Sequence, residues 1–131
     1  MAKLIQAIPL VKLTEIKQLC PDETSNGKPW SRRLEFLNFE GVLFLFVSEN
    51  KHPGEHFVRM CRLLPVPEDA PIQLPPVPFE EFHTSCGKYD ITGDELRMTT
   101  RNSFYRFHIL DNSMTKENQD KIEFYFQLFA R

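Results

Sequence analysis

Glycine is scarce in this chain: five residues in 131, none of them clustered. Loops that cradle phosphate need glycine where backbone must approach the ligand, and neither a Walker loop nor a dinucleotide-binding fingerprint is present. The Gly-x-Ser-x-Gly elbow of serine hydrolases is missing as well. Cysteine is equally sparse. Cys20, Cys61 and Cys86 are odd in number, widely spaced and without a CxxC pair. That pattern points to a reduced, cytoplasmic setting with free thiols, the three cysteines serving as small buried hydrophobes. Neither charge sign dominates, since 16 basic and 18 acidic side chains leave a net charge of −2. No basic tail or patch marks a nucleic-acid footprint, so nucleic acid is not an expected partner. Long hydrophobic runs are missing too. The longest purely apolar stretch, Val42–Val47, is far too short to span a bilayer. Near the start, Gln6, Pro9 and Lys12 interrupt any secretory apolar region, so neither a signal peptide nor a membrane association is expected.

What the chain has in quantity is phenylalanine. Twelve Phe, three Tyr and one Trp bring the aromatics to 12%. Aromatic side chains suit pleated, half-buried surfaces, so the composition leans toward sheet. The length suits one domain, residues 1–131, that can bury a core without covalent staples. The sharpest local signal is Gly87-Lys88-Tyr89-Asp90-Ile91-Thr92-Gly93-Asp94-Glu95-Leu96-Arg97-Met98. Gly93-Asp94 reads as the two-residue turn of a β-hairpin, with positive φ supplied by Gly and tolerated by Asp. In that register Tyr89 faces Met98, Ile91 faces Leu96, and Asp90 faces Arg97 as an opposite-charge pair.

The other elements follow from periodicity and breakers. Leu10, Leu13, Ile16 and Leu19 recur every three residues, which predicts a short helix within residues 4–20, after Pro9 and before Pro21; a strand over Lys3–Ile8 is the competing reading. Residues 22–29 form a loop. Trp30–Phe39 alternates and predicts a strand leading into a turn at Asn38–Gly41. Val42–Val47 is apolar on both faces, so it is either covered on both sides or turned toward a partner. A further strand is predicted from Phe57 to Leu64. Residues 65–78 hold six of the ten prolines and read as a polyproline-like strap between strand groups 30–64 and 79–129. Strands follow at 82–91, 96–100 and 104–110. A polar loop spans 111–120, and a last strand carries Ile122, Phe124, Phe126 and Leu128. The fold class is all-β: an antiparallel up-and-down meander closed or nearly closed into a small barrel, with a short N-terminal helix. An open sheet with that helix on one face is the runner-up.

Three stretches carry a resemblance. They are Leu34-Glu35-Phe36-x-x-Phe39-Glu40-Gly41-Val42, Gly87-Lys88-Tyr89-x-Ile91-x-Gly93-Asp94-x-Leu96, and Ile122-Glu123-Phe124-Tyr125-Phe126. Together they resemble the small lipocalin-like β-barrels over residues 30–128. The resemblance implies a barrel with an interior cavity. The chain departs from lipocalins in lacking their early Gly-x-Trp; Trp30 follows Pro29 instead.

Candidate chemistry is thin. His52 and His56 stand at a helical metal spacing, but Pro53 and Gly54 lie between them. His83 and Cys86, three apart on a strand, would point to opposite faces. His108 sits between Phe107 and Ile109 as an ordinary strand residue. Glu80 and Glu81 do not form an acid/base pair. No cofactor, metal or catalytic residue is expected. The aromatic and methionine set Phe36, Phe44, Phe46, Tyr89, Met98, Tyr105, Phe107, Phe124 and Phe126 is the candidate lining of a pocket for a small apolar or aromatic ligand. Leu43 and Leu45 are candidate anchors for a protein partner or homodimer. The expected function is therefore non-enzymatic ligand binding in the barrel interior or mouth. A protein-interaction module using an apolar sheet face or the proline-rich strap is the alternative.

Overall fold

The computed structural model describes residues 2–19, 24–25, 28–49, 52–63 and 79–129. The proline-rich strap at 65–78 and Cys20 lie outside them, as does the side chain of Trp30. The chain forms β1 (Ala2–Gln18), a minimal ladder of β2 (Thr24–Ser25) with β3 (Lys28–Pro29), and a 3-10 helix at Trp30–Phe36. Then come β4 (Glu40–Ser48), β5 (His56–Leu63), β6 (Phe79–His83), β7 (Gly87–Thr92), β8 (Glu95–Thr100), β9 (Ser103–Asp111) and α1 (Lys116–Phe129). The main sheet runs β4-β1-β9-β8-β7-β5-β6, and β4 also pairs with β5. The strands therefore return on themselves in a barrel-like ring, in which β6 runs along the same edge of β5 that β7 reaches and sends Phe82 into the core.

The expected N-terminal helix is instead β1, a 17-residue strand. Its front part pairs with β4 and its rear part with β9, so one strand serves both sides of the ring. Two irregularities make this possible. Ile8↔Leu43 is followed by Val11↔Gly41, which takes three steps on β1 against two on β4 and absorbs Pro9 where a missing N–H does no harm. Leu13↔Phe107 is followed by Glu15↔Arg106, which leaves Thr14 as a bulge whose Oγ1 donates to the Arg106 carbonyl. Each bulge adds one residue to a period of two. Ile8, Val11, Leu13 and Ile16 thus all point inward, each at most 9% exposed. Of the four residues whose spacing suggests a helix, only Leu13 and Ile16 lie on this inward row; Leu10 is half-buried and Leu19 is 43% exposed.

The hairpin forms in the expected register, with Tyr89↔Met98, Asp90↔Arg97 and Ile91↔Leu96 paired. Gly93 alone supplies the positive φ, at +61°; Asp94 does not need it. The Arg97 guanidinium turns to Glu95 at 3.3 Å rather than forming the expected pair with Asp90. Upstream, the predicted strand at 82–91 is broken. β6 runs along β5 from Leu63↔Phe79 to Arg59↔His83. Buried Thr84 then holds Val58 by both of its backbone groups: its Oγ1 accepts from the Val58 N–H, and its own N–H donates to the Val58 carbonyl, each at 3.0 Å. Beyond it, β7 touches β5 through the pair His56↔Gly87 and swings over to β8. A Cβ on Gly87 would run into the Thr99 carbonyl, so this crossing needs glycine.

The predicted strand over Trp30–Phe39 is a 3-10 helix followed by a turn, with Asn38 at φ +72°. The last predicted strand is α1, so the helix of this fold is C-terminal. Ile122, Phe124, Phe126 and Leu128 do alternate. Yet Asn118, Lys121, Ile122, Tyr125 and Phe126 form a half-buried stripe at helical spacing. Among residues 116–129 only Ile122 is β-branched, and the rest are largely good helix formers. Thr115 caps the start, accepting from the Asn118 N–H at 3.2 Å; such a cap typically contributes about 1 kcal/mol.

The helix explains why β4 is apolar on both faces. Leu43 and Leu45 point into the ring with Met60, Leu96, Met98 and Phe107, all at 0% exposure. Val42, Phe44 and Phe46 point outward, where Ile122, Tyr125 and Phe126 pack over them beside Ala7 and Phe57. Phe44 and Phe126 rings lie 5.7 Å apart, and Phe46 stacks on Phe57 at 5.1 Å. No helix among the described residues is long and apolar enough to cross a membrane.

Candidate functional site

The candidate pocket residues do not converge. Met98, Tyr105 and Phe107 are core side chains, with Phe36 and Tyr89 packed against the core's edge. Phe44, Phe46 and Phe126 belong to the outer cluster beneath α1. Phe124 faces solvent, 42% exposed. The interior is filled by its own chains: Phe82 contacts Tyr105 at 5.6 Å and Phe107 at 6.5 Å, and Tyr105 stacks on Phe107 at 6.3 Å. Leu43 and Leu45 are sealed inside the ring, so the expected exposed anchors are core residues.

The described clefts lie on the surface. One, of about 440 Å³, is formed where the turn after the 3-10 helix meets the end of the β5–β6 pair. Phe36, Phe39 and Leu37 supply its apolar lining; Glu35, Asn38, Arg62, Glu80 and Glu81 supply the polar one. The floor is rigid. Phe36 lies 5.0 Å from Phe82 and 6.1 Å from Phe39 by ring centroids. The turn is tied to β1 in both directions, since Leu13 N–H donates to the Phe39 carbonyl and Asn38 N–H to the Leu13 carbonyl. The β5–β6 register sets Arg62 opposite Glu80 and Cys61 opposite Glu81. Arg62 reaches Glu80 at 3.0 Å while its guanidinium lies 4.5 Å above the Phe39 ring. Arg59 holds Glu81 at 2.6 Å. Both carboxylates are engaged by guanidinium groups, a poor arrangement for proton transfer and a good one for a fixed charged surface.

Elsewhere the chemistry is equally restrained. Burial pushes the Cys61 thiol up to about 11, with Glu81 adding to the rise and Arg59 opposing it, so this sulfur is not a nucleophile at neutral pH. Burial between α1 and β4 also raises the Tyr125 phenol. His83 and partly exposed Cys86 share a cleft of about 400 Å³ with Arg59 and Glu81. His52 sits 3.5 Å from Glu55, His56 lies edge-on to Tyr89 at 4.7 Å, and His108 is 3.7 Å from Asp94. Among the described residues no group of three or more His, Cys, Asp or Glu side chains is placed to hold a metal ion.

Sequence reasoning passed over the cleft. Its signal was faint: Glu80-Glu81 can be matched with Arg59 and Arg62 only once β5 and β6 are known to pair across the long connection between them. Searches for similarity find no matching family model, curated protein or solved structure.

Proposed function

We propose that this chain is a non-enzymatic protein-binding module that makes its contacts through its surface rather than its interior. One observation carries the reading: the ring is solid, with Leu43, Leu45, Met60, Leu96, Met98 and Phe107 fully buried against one another. A ring of this size either packs shut or holds one small ligand, and packed phenylalanine favours the first. Among the described residues the carboxylates, thiols and imidazoles form no convergent nucleophile and base, which supports a role without catalysis. The likeness to small lipocalin-like barrels extends, in this reading, to ring-like closure and not to a ligand-filled interior. The buried free thiol of Cys61 and the absence of CxxC fit a cytoplasmic setting.

Two measurements test the proposal. The immobilised chain should retain a protein partner in stoichiometric amount, whereas an apolar fluorescent probe should find no stoichiometric site inside. A probe bound one-to-one, with perturbed NMR signals from Met98 and Phe107, would replace this reading with interior ligand binding.

A further inference from the structure

We infer that the partner docks on the outer face of β4 as an amphipathic helix that takes the place of α1; this rests on the surface-binding reading above and names the site and the class of its ligand. The resident helix shows what the surface accepts. Val42, Phe44 and Phe46 point away from the ring interior and are still buried. What covers them is Ile122 with two aromatics, Tyr125 and Phe126, three and four positions on. The Tyr125 hydroxyl accepts a backbone hydrogen bond from Leu63 at the end of β5.

The cover is lighter than the floor. Among the described residues of α1 no side chain is fully buried: Asn118, Lys121, Ile122, Tyr125, Phe126 and Leu128 are half-buried and the rest are exposed. On the two sides of the floor, Ala7 and Phe57 also stay half-buried. The ring does not need the helix for its backbone bonding, since β4 pairs with β1 on one side and β5 on the other. The bonds at the start of α1 run within residues 111–119 and none of them reaches β4. A helix of this length is marginal on its own, so its order depends on the docking contact, and it can open while the ring stays folded. Opening uncovers a contiguous apolar face of the kind that marks an interaction site. A second copy brings the same short stripe and no added cover. A partner helix with a longer stripe buries the margins that α1 leaves half-open, which makes it the favoured occupant.

The test uses the full chain and a labelled peptide of residues 112–129, followed by fluorescence anisotropy and amide NMR. The peptide should bind and shift the amide signals of residues 42–47. A peptide carrying Asn118→Leu, which lengthens the stripe by one turn, should bind more tightly. One substitution should act in opposite directions on the two molecules. Ile122→Ala in the chain should tighten peptide binding at least about fivefold, because apparent affinity follows the open fraction. The same change in the peptide should weaken binding. Gln127→Ala, on the exposed side of the helix, should leave the affinity within about twofold in either molecule. In the unaltered chain, amides of residues 120–128 should exchange at least about tenfold faster than those of residues 42–47, a readout that needs no variant to fold. Weaker binding by the Ile122→Ala chain, no gain from Asn118→Leu, shifts confined to other strands, exchange of α1 only together with β4, or no binding at all would each overturn the site. Such a failure while the interior still excludes the apolar probe removes this site alone; entry of the probe removes the surface-binding reading itself.

Discussion

Leu45 shows how much a single side chain means in this molecule. It lies on β4 beside Phe44 and Phe46, fully buried on the inward face while they face α1. Truncating a buried leucine removes its transfer free energy and leaves a cavity that close-packed neighbours only partly fill. Leu45→Ala should cost about 2–5 kcal/mol of stability, read as a lower urea midpoint with an unchanged slope. An exposed anchor would lose less than about 0.5 kcal/mol on the same change. Alternation alone shows that Leu43 and Leu45 share a face and that Phe44 and Phe46 share the other. It does not show which face is the inside, because a strand apolar on both sides looks the same from either.

At the scale of elements, α1 rests on its stripe and on its first turn. Asp111 closes the last strand and organises the approach to the helix. Its carboxylate accepts from the Ser113 N–H at 2.9 Å, from the Ser113 hydroxyl at 2.7 Å, and from Asn118 Nδ2 at 3.2 Å. These bonds hold the Asp111 carboxyl below its ordinary value of 3.8, the backbone bond most strongly. A carboxyl depressed in the folded state stabilises fully above its unfolded value, and the contribution fades as pH falls through the folded one. Asp111→Ala should therefore lower helix stability at neutral pH, with the gap to the unaltered chain closing below about pH 4; circular dichroism at 222 nm during thermal unfolding reads both. The helix was legible in Thr115 placed three before Asn118, and in a segment rich in Glu, Gln and Lys with almost no β-branching. The alternation of Ile122, Phe124, Phe126 and Leu128 obscured it, since the helical stripe emerges only when Tyr125 joins Ile122 and Phe126 and the exposed Phe124 is left out.

At the scale of the whole molecule, the ring depends on places where a strand changes partners. β1 does so through bulges, and β6–β7 does so at Thr84–Gly87. Among the described residues β5 and β7 share the one pair His56↔Gly87, held where β8 comes too close for any side chain. Gly87→Val should separate β7 from β8 or from β5. The expected result is a loss of at least about 1–3 kcal/mol in urea unfolding, together with faster hydrogen exchange along residues 87–92 than along β4. Equal protection of both strands would show that closure does not depend on this crossing.

Local chemistry was enough for some of this architecture. The Gly93 turn set the β7–β8 register, because only one pairing puts Tyr89 opposite Met98 and Ile91 opposite Leu96. The apolar six-residue run of β4 marked a strand either covered on both faces or turned toward a partner, and phenylalanine content marked the sheet class. These are effects of nearest neighbours and of side-chain period. Contacts between distant segments decided the rest. Whether Leu13 and Ile16 belonged to a helix or a bulged strand depended on β9 arriving opposite them. Whether the aromatic set lined a cavity or filled a core depended on where α1 came to rest. Arg62, Glu80 and the turn after Phe36 become one cleft only after the chain has closed its ring, since residues far apart in sequence acquire a shared surface only through long-range packing.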